Sequence, residues 1–111
     1  MGVSDDLTRL WPWGRVKVAG NSMAPRYRDG DWLLVRWGNS SKVGSVLLIE
    51  REVRPGVFII KRLLRIDAGN YWVEGDNGAA STDSRQWGAI GANEIIGRVL
   101  FRIYRIRKLS F

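Results

Sequence analysis

Serine and lysine are the residue types to examine for chemistry, because the chain contains neither histidine nor cysteine. These absences exclude a Ser-His-Asp triad, a thiolate nucleophile, a disulfide and the commonest zinc ligands. We therefore expect no metal site and no cofactor. A lysine that is neutral near pH 7 can take a proton from a serine hydroxyl, which is what a serine–lysine dyad requires. Only four lysines are available, namely Lys17, Lys42, Lys61 and Lys108.

Lys61 has the most unusual surroundings of the four. It lies in the apolar run 57–64, which is typical of a β-strand. Strand side chains alternate between faces, so Lys61 shares a face with Ile59 and Leu63. Such neighbours desolvate the ammonium group and lower its pKa. The competing interpretation is a lysine whose amine reaches water past its apolar neighbours.

Ser22 is the best-placed candidate nucleophile. Gly20 precedes it by two residues and Pro25 follows it by three, which favours a tight turn. A serine on such a turn is exposed, and its own backbone N–H can point at a developing oxyanion. Taken alone, the same pattern also fits an ordinary turn serine.

The elements that must position these residues are predicted to be mostly β. Short apolar runs separated by turns predict strands at 16–19, 31–37, 45–52, 57–66, 71–74 and 96–107. Residues 75–92 are rich in Gly, Ser, Asn and Asp and predict a structured loop, followed by one helical turn at 92–95. We expect coiled antiparallel sheets with a small barrel and little helix. Residues 1–14 are interpreted as a lead-in to a single domain at 15–111.

Four ordered segments resemble the signature boxes of the signal peptidase I and LexA-type protease family. The first joins residues 18–25, with the nucleophile turn, to residues 30–35, and the second is Ile60-Lys61-Arg62. The third comprises 75–77, 81–85 and 87–88, and the fourth is Gly97-Arg98. Each box is weak alone, but their order and spacing over residues 16–98 agree with the base found by elimination. The resemblance implies that 15–111 is a catalytic domain with the fold of that family.

The resemblance also implies roles for individual residues. Ser22 would be the nucleophile, Lys61 the general base, and Ser81 the residue whose hydroxyl orients the lysine amine. The residues implied for the oxyanion and the approach of substrate are Gly20, Asn21 and Met23. Those implied to support the site structurally are Asp76, Asp83 and Arg85. Some signal peptidases have a hydroxyl at the position of Gly20, so here the oxyanion would depend on backbone N–H groups.

The function that the resemblance implies is endoproteolysis of a precursor protein that presents an extended cleavage segment. Small residues, such as alanine, would stand just before the cut and two positions earlier. Small family members without a membrane span include the proteases that remove a leader peptide from nickel-type superoxide dismutase. The chain shows no apolar run of the roughly 20 residues that a membrane helix needs, and no secretion signal. We therefore expect a cytoplasmic maturation protease of this type.

Two alternatives come from charge and aromatic content. The net charge of +7 favours anionic partners. A signal peptidase that contacts the membrane surface peripherally is one alternative, with Trp11 and Trp13 beside Arg9 and Arg15, and the tail 102–108, in the headgroup zone. The other is a basic β-barrel that binds nucleic acid through stacked aromatics. It is disfavoured because the aromatics are scattered and no nucleic-acid motif is present.

Overall fold

The computed structural model describes residues 12–105, which form one antiparallel sheet of seven strands. The strands are β1 (Trp13–Lys17), β2 (Trp32–Trp37), β3 (Val46–Glu50), β4 (Phe58–Asp67), β5 (Asn70–Glu74), β6 (Ile90–Gly91) and β7 (Ile95–Tyr104). Their order in the sheet is β1-β2-β7-β3-β4-β5-β6, and every neighbouring pair is antiparallel. The prediction of a mostly β, antiparallel fold is therefore confirmed.

Helix is scarce in the described part of the chain, as predicted. One short α-helix, α1 (Ser84–Trp87), and two 3-10 turns, Gly78–Ala80 and Ala92–Glu94, interrupt the segment between β5 and β7. Asp83 caps α1 with a capping box, since its side chain accepts from the helix backbone while Gln86 bonds back to the Asp83 N–H. Within residues 12–105, the sheet formed by the seven strands is not closed into a barrel, since β1 and β6 do not pair.

Burial of β3 on both of its faces shows that the sheet is coiled. Alternation sends Val46 and Leu48 into one apolar cluster, with Met23, Leu33 and Val35, and sends Leu47 and Ile49 into a second one. The second cluster also contains Leu63, Val73, Ile90 and Ile95. A single flat sheet in a chain of this size would leave one face in water. The two clusters show that the sheet folds back over both faces of its central strand.

The hairpin between β4 and β5 turns at Ala68 and Gly69, in the gap between the strands predicted at 57–66 and 71–74. Both residues have positive φ, 49° and 79°, as a two-residue type I′ turn requires. Asp67 and Asn70 close the ladder on either side of the turn. This hairpin extends β4 beyond β3 and leaves Leu64 and Ile66 partly exposed.

The first strand starts earlier than the sequence predicts. β1 begins at Trp13, inside the segment interpreted as a lead-in, and pairs with Trp32–Arg36 of β2. Gly14 allows this pairing, since a Cβ there would stand 2.6 Å from an indole carbon of Trp37. Of the residues proposed for the headgroup zone, Arg9, Trp11 and 106–108 lie outside the described residues. Within 12–105, no helix is long and apolar enough to cross a bilayer.

Candidate active site

Ser22 lies on the turn between β1 and β2, and backbone bonds at the base of this loop fix its position. The Val18 N–H donates to the Asp31 carbonyl, and the Gly30 N–H donates back to the Val18 carbonyl, both at 2.8 Å. Gly20 has φ of 85°, a left-handed conformation that suits glycine, and its N–H donates to the Asp29 side chain at 2.8 Å. The tight turn predicted around Ser22 is therefore present, and its hydroxyl-bearing residue is half-buried.

The segment that follows β5, residues 75–77, contacts this turn. The Asn77 backbone N–H donates to the Ser22 carbonyl at 2.9 Å, and its side-chain amide donates to the Asn21 carbonyl at 3.1 Å. Gly75 makes the approach possible, because a Cβ there would stand 2.6 Å from the Ser22 carbonyl oxygen. The roles of Gly75 and Asn77 were not predicted individually from the sequence. They contact the Ser22 turn from 53 to 56 positions away in the sequence, which no local pattern reveals.

The three residues implied for the oxyanion and the approach of substrate differ in their exposure to solvent. Gly20 and Asn21 are exposed, whereas Met23 is completely buried in the first apolar cluster. The Asp76 N–H points at the Met23 sulfur, 3.4 Å away. The Met23 side chain thus packs the turn onto the core.

Asp76 ties the same segment to the lysine strand. Its carboxylate receives two 2.8 Å hydrogen bonds from the Arg62 guanidinium, which also donates to the Gly44 carbonyl. Hydrogen bonding to Asp76 raises the pKa of Arg62. Arg62 therefore stays charged on one side of β4, while its neighbour Lys61 faces the interior on the other side.

The Lys61 side chain is buried, with only 4% of its surface exposed. It stands on β4 between Ile59 and Leu63, on the face that the alternation predicts, against the second apolar cluster. Burial lowers the pKa of the amine below its usual range; the charge of Asp83 opposes this shift and that of Arg85 adds to it. The competing interpretation requires an amine that reaches bulk water, and the burial of Lys61 contradicts it.

The Lys61 amine is held by a short chain of hydrogen bonds. Its Nζ donates to the Ser81 Oγ at 3.0 Å, and the Ser81 hydroxyl donates to Asp83 Oδ2 at 2.5 Å. Because the Ser81 proton is committed to Asp83, the Ser81 oxygen can only accept from Lys61. A neutral amine bound in this way keeps its lone pair free for another proton donor. This arrangement fixes the Lys61 amine and leaves its lone pair free.

Asp83 is the anchor of that chain and is completely buried. Its two carboxylate oxygens accept from the Ser81 hydroxyl, the Gly75 N–H at 2.8 Å, and the Arg85 backbone and guanidinium. The Arg85 hydrogen bonds are the largest cause that holds the pKa of Asp83 far below its usual range. Asp83 therefore remains an anion, and Arg85 balances its charge close to the lysine.

These contacts link the lysine to the serine turn through Ser81 and Gly75, and within residues 12–105 no direct hydrogen bond joins Lys61 Nζ to Ser22 Oγ. Both the Ser22 carbonyl oxygen and the Ser81 Cβ lie 2.6 Å from the point where a Cβ of residue 75 would stand. Ser81 is in turn hydrogen-bonded to the Lys61 amine. Residues from four separate segments of the chain thus converge around Gly75. Within 12–105, no group of three or more carboxylates is placed to hold a metal ion.

An open cleft of about 540 Å³ leads to Ser22. One wall is residues 15–19, at the end of β1, and the other is residues 58–60 of β4. Trp32, Trp37 and Leu48 form the apolar floor. β1 is the first strand of the sheet, and β4 pairs with β5 only from Arg62 onward, so within residues 12–105 each wall has a backbone edge that pairs with no further strand. The cleft has the shape and edges to accept an extended peptide.

Comparison with known proteins agrees with this geometry. Residues 13–100 match the Peptidase S24-like family model. The mitochondrial inner membrane protease subunit 1 of Xenopus tropicalis is 29% identical over 86% of this chain and 71% of its own length, and the human subunit is 27% identical over 88% and 74%. The mitochondrial ATP-independent inner membrane protease subunit 1a of Arabidopsis thaliana is 29% identical over 78% and 68%. The chain belongs to the Peptidase S24-like family and is a peptidase related to signal peptidases.

Proposed function

We propose that this protein is a serine endopeptidase in which Lys61 activates Ser22 to cut a precursor protein. The observation that carries the proposal is the buried Lys61 amine, fixed by Ser81 beside the Ser22 turn. Desolvation favours the neutral amine, and a neutral amine is the form that can accept a proton. In a chain without histidine, Lys61 has the environment that general-base catalysis needs.

The proposed reaction has two stages. Ser22 Oγ attacks the scissile carbonyl while its proton passes to Lys61 Nζ, and the resulting ammonium protonates the amine as the C–N bond breaks. The acyl group is then an ester of Ser22. Lys61, neutral again, takes a proton from a water molecule that attacks this ester, and the proton returns to Ser22 Oγ as the carboxylate product leaves. Lys61 thus acts once for each half of the reaction.

Backbone donors at the turn suit the oxyanion that forms during the attack. The Ser22 N–H finds no acceptor within residues 12–105. The residue two positions earlier, Gly20, has open space where a Cβ would stand. A preorganised N–H of this kind stabilises the developing charge, and removal of one such donor typically costs about 10²–10³-fold in rate.

The precursor segment would bind as an added strand between β1 and β4. Unpaired backbone groups on both walls would hold it, and the apolar floor would receive side chains before the cut. The family resemblance favours small residues there, and a leader peptide as the part removed. The candidate precursor class is nickel-type superoxide dismutase, whose leader would be cleaved by this chain.

Co-expression tests this proposal. A candidate precursor carrying a leader is expected to be shortened by the wild-type protein and to stay uncut with the Ser22→Ala protein. Mass analysis of the mature N-terminus reads the outcome. Ser41→Ala is a matched control, because Ser41 does not line the cleft and its hydroxyl bonds only to Asn39 among described residues. A precursor that is shortened equally by the Ser22→Ala protein would refute the assignment of the nucleophile.

A second candidate is the same chemistry performed at a membrane surface. β7 leaves Phe101, Ile103 and Tyr104 between 41% and 56% exposed, and Arg102 lies among them. Aromatic and apolar side chains next to cations suit the headgroup zone of an anionic bilayer. Flotation with anionic and neutral liposomes distinguishes the candidates, because only the membrane-surface protease would float with anionic vesicles.

Ser81→Ala is expected to weaken cleavage about 10- to 100-fold rather than abolish it. The change removes the oxygen that fixes Lys61 Nζ but leaves the amine in place, and misplacement of a catalytic group carries a cost of this order. The loss should fall on kcat, with KM nearly unchanged, because Ser81 does not line the cleft. A Ser81→Ala protein with wild-type kcat would show that Lys61 needs no orientation by this hydroxyl.

A further inference from the structure

A second cavity, of about 310 Å³, opens on the side of β4 where Lys61 lies. Its walls include Arg51, Arg54, Val57, Ile59, Lys61 and Trp87. We call it the basic pocket, because Arg51 and Arg54 are among its lining residues within 12–105 and no carboxylate is. Ser22 lines the cleft and not this pocket, whereas Lys61 lines the pocket and not the cleft. Ile59 lines both cavities, so the cleft and the basic pocket adjoin on β4.

The order of events in the proposed reaction decides which part of a precursor meets this pocket. The acyl half becomes attached to Ser22, which lies in the cleft. The leaving amine must approach Lys61 to collect its proton. The residues that follow the amine in the precursor are therefore directed to the Lys61 side of β4, where the basic pocket lies.

The basic pocket is preformed. Arg51 stacks over the Trp87 ring at 4.3 Å and donates at 3.0 Å to Glu94, whose side chain is nearly buried. Turn hydrogen bonds from the Arg54 N–H to the Arg51 carbonyl, and from the Val57 N–H to the Arg54 carbonyl, order the loop between β3 and β4. Glu94 already balances Arg51. Arg54 makes no ion pair within residues 12–105, so its charge is available to a ligand.

We propose that the basic pocket binds an acidic side chain of the precursor at the first positions after the cut, with Arg54 as the principal contact. The inference rests on the proposed protease function, since it uses the direction in which the amine leaves. Val57, Ile59 and Trp87 accept the aliphatic part of the side chain, and the guanidinium meets the carboxylate. The pocket thereby selects against a basic residue after the cut, because like charges would meet.

The test uses the Ser22→Ala protein and three synthetic peptides that span a cut, with alanine at the first and third positions before it. The peptides differ only in the next residue, which is Asp, Asn or Lys. We expect the Asp peptide to bind about fivefold more tightly than the Asn peptide, as for a partly exposed charge pair, and the Lys peptide to bind most weakly. High salt should reduce the difference.

Arg54→Glu in the same background should reverse the order of the Asp and Lys peptides. Lys42→Glu is the matched control, since it makes the same charge change at an exposed position outside the pocket, and it should keep the order. Equal affinities for the three peptides, binding by none of them, or an order unchanged by Arg54→Glu would overturn the inference. A wild-type protein that cuts precursors regardless of the charge after the cut would retain the protease function and lose only the pocket's role.

Discussion

Replacing Lys61 with methionine is expected to reduce precursor cleavage by about 10³-fold or more, because it removes the proposed general base. Methionine matches the length and shape of the buried stem, so the fold should persist. The Ser22→Ala/Lys61→Met double variant should be no worse than either single variant, since a dyad acts as a unit. Cleavage rates measured with one precursor check this. Lys42→Met, at an exposed position that lines neither the cleft nor the basic pocket, is the control and should stay active.

The same substitution should stabilise the protein in a pH-dependent way. Burial lowers the pKa of Lys61 in the folded state, so folding favours loss of a proton and is penalised at pH values where the unfolded lysine is charged. The penalty is largest below the folded-state pKa and shrinks as pH rises towards the ordinary lysine value. Lys61→Met removes it, and its advantage in unfolding free energy should therefore shrink with rising pH. A constant difference from neutral to alkaline pH would contradict a lowered pKa.

Asp83→Ala is expected to have the largest effect on stability. It removes an acceptor with no exposed surface and leaves the Gly75 N–H, the Ser81 hydroxyl and the Arg85 guanidinium without their partner. Loss of one member of such a buried network costs about 3 kcal/mol in the free energy of unfolding. Denaturant unfolding measures it. Activity should also fall, because Ser81 loses the bond that orients it towards Lys61.

Asp67→Ala is the matched control for Asp83→Ala. Asp67 pairs with Arg65 at 3.7 Å, and both side chains are well exposed, so its loss should change stability by less than about 0.5 kcal/mol.

The pH dependence of stability is a second check on the role of Asp83. The pKa of Asp83 is lowered, so its contribution is complete above the ordinary aspartate pKa and is lost as pH falls below that value. The Asp83→Ala protein should therefore lose less stability than the wild type on acidification.

The parts of the site that the sequence predicts are those governed by local rules. Period-two alternation places Lys61 between Ile59 and Leu63, and burial on that face follows directly. Gly20 and Pro25 predict the turn that carries Ser22, and Ala68-Gly69 predicts the hairpin. The pairing of Ser81 with Lys61 came from the family resemblance, because these residues are 20 positions apart and no local rule joins them.

The remaining features depend on long-range packing. The sheet order, in which β7 lies between β2 and β3, brings distant segments together, and alternation within a strand carries no information about it. The same holds for the contact of Asn77 with Ser22 and for the basic pocket, whose walls come from separate segments. The early start of β1 depends on the fit of Gly14 under Trp37, which the sequence of β1 alone does not show.

Titration of the Lys61 side chain tests the central claim most directly. With only four lysines in the chain, NMR signals of the side-chain carbon next to each amine can be assigned by substitution and followed against pH. We predict that Lys61 titrates well below the other lysines and that its pKa coincides with the acidic limb of the cleavage profile. A Lys61 that titrates together with exposed lysines, in a protein that still cleaves its precursor near neutral pH, would contradict the account.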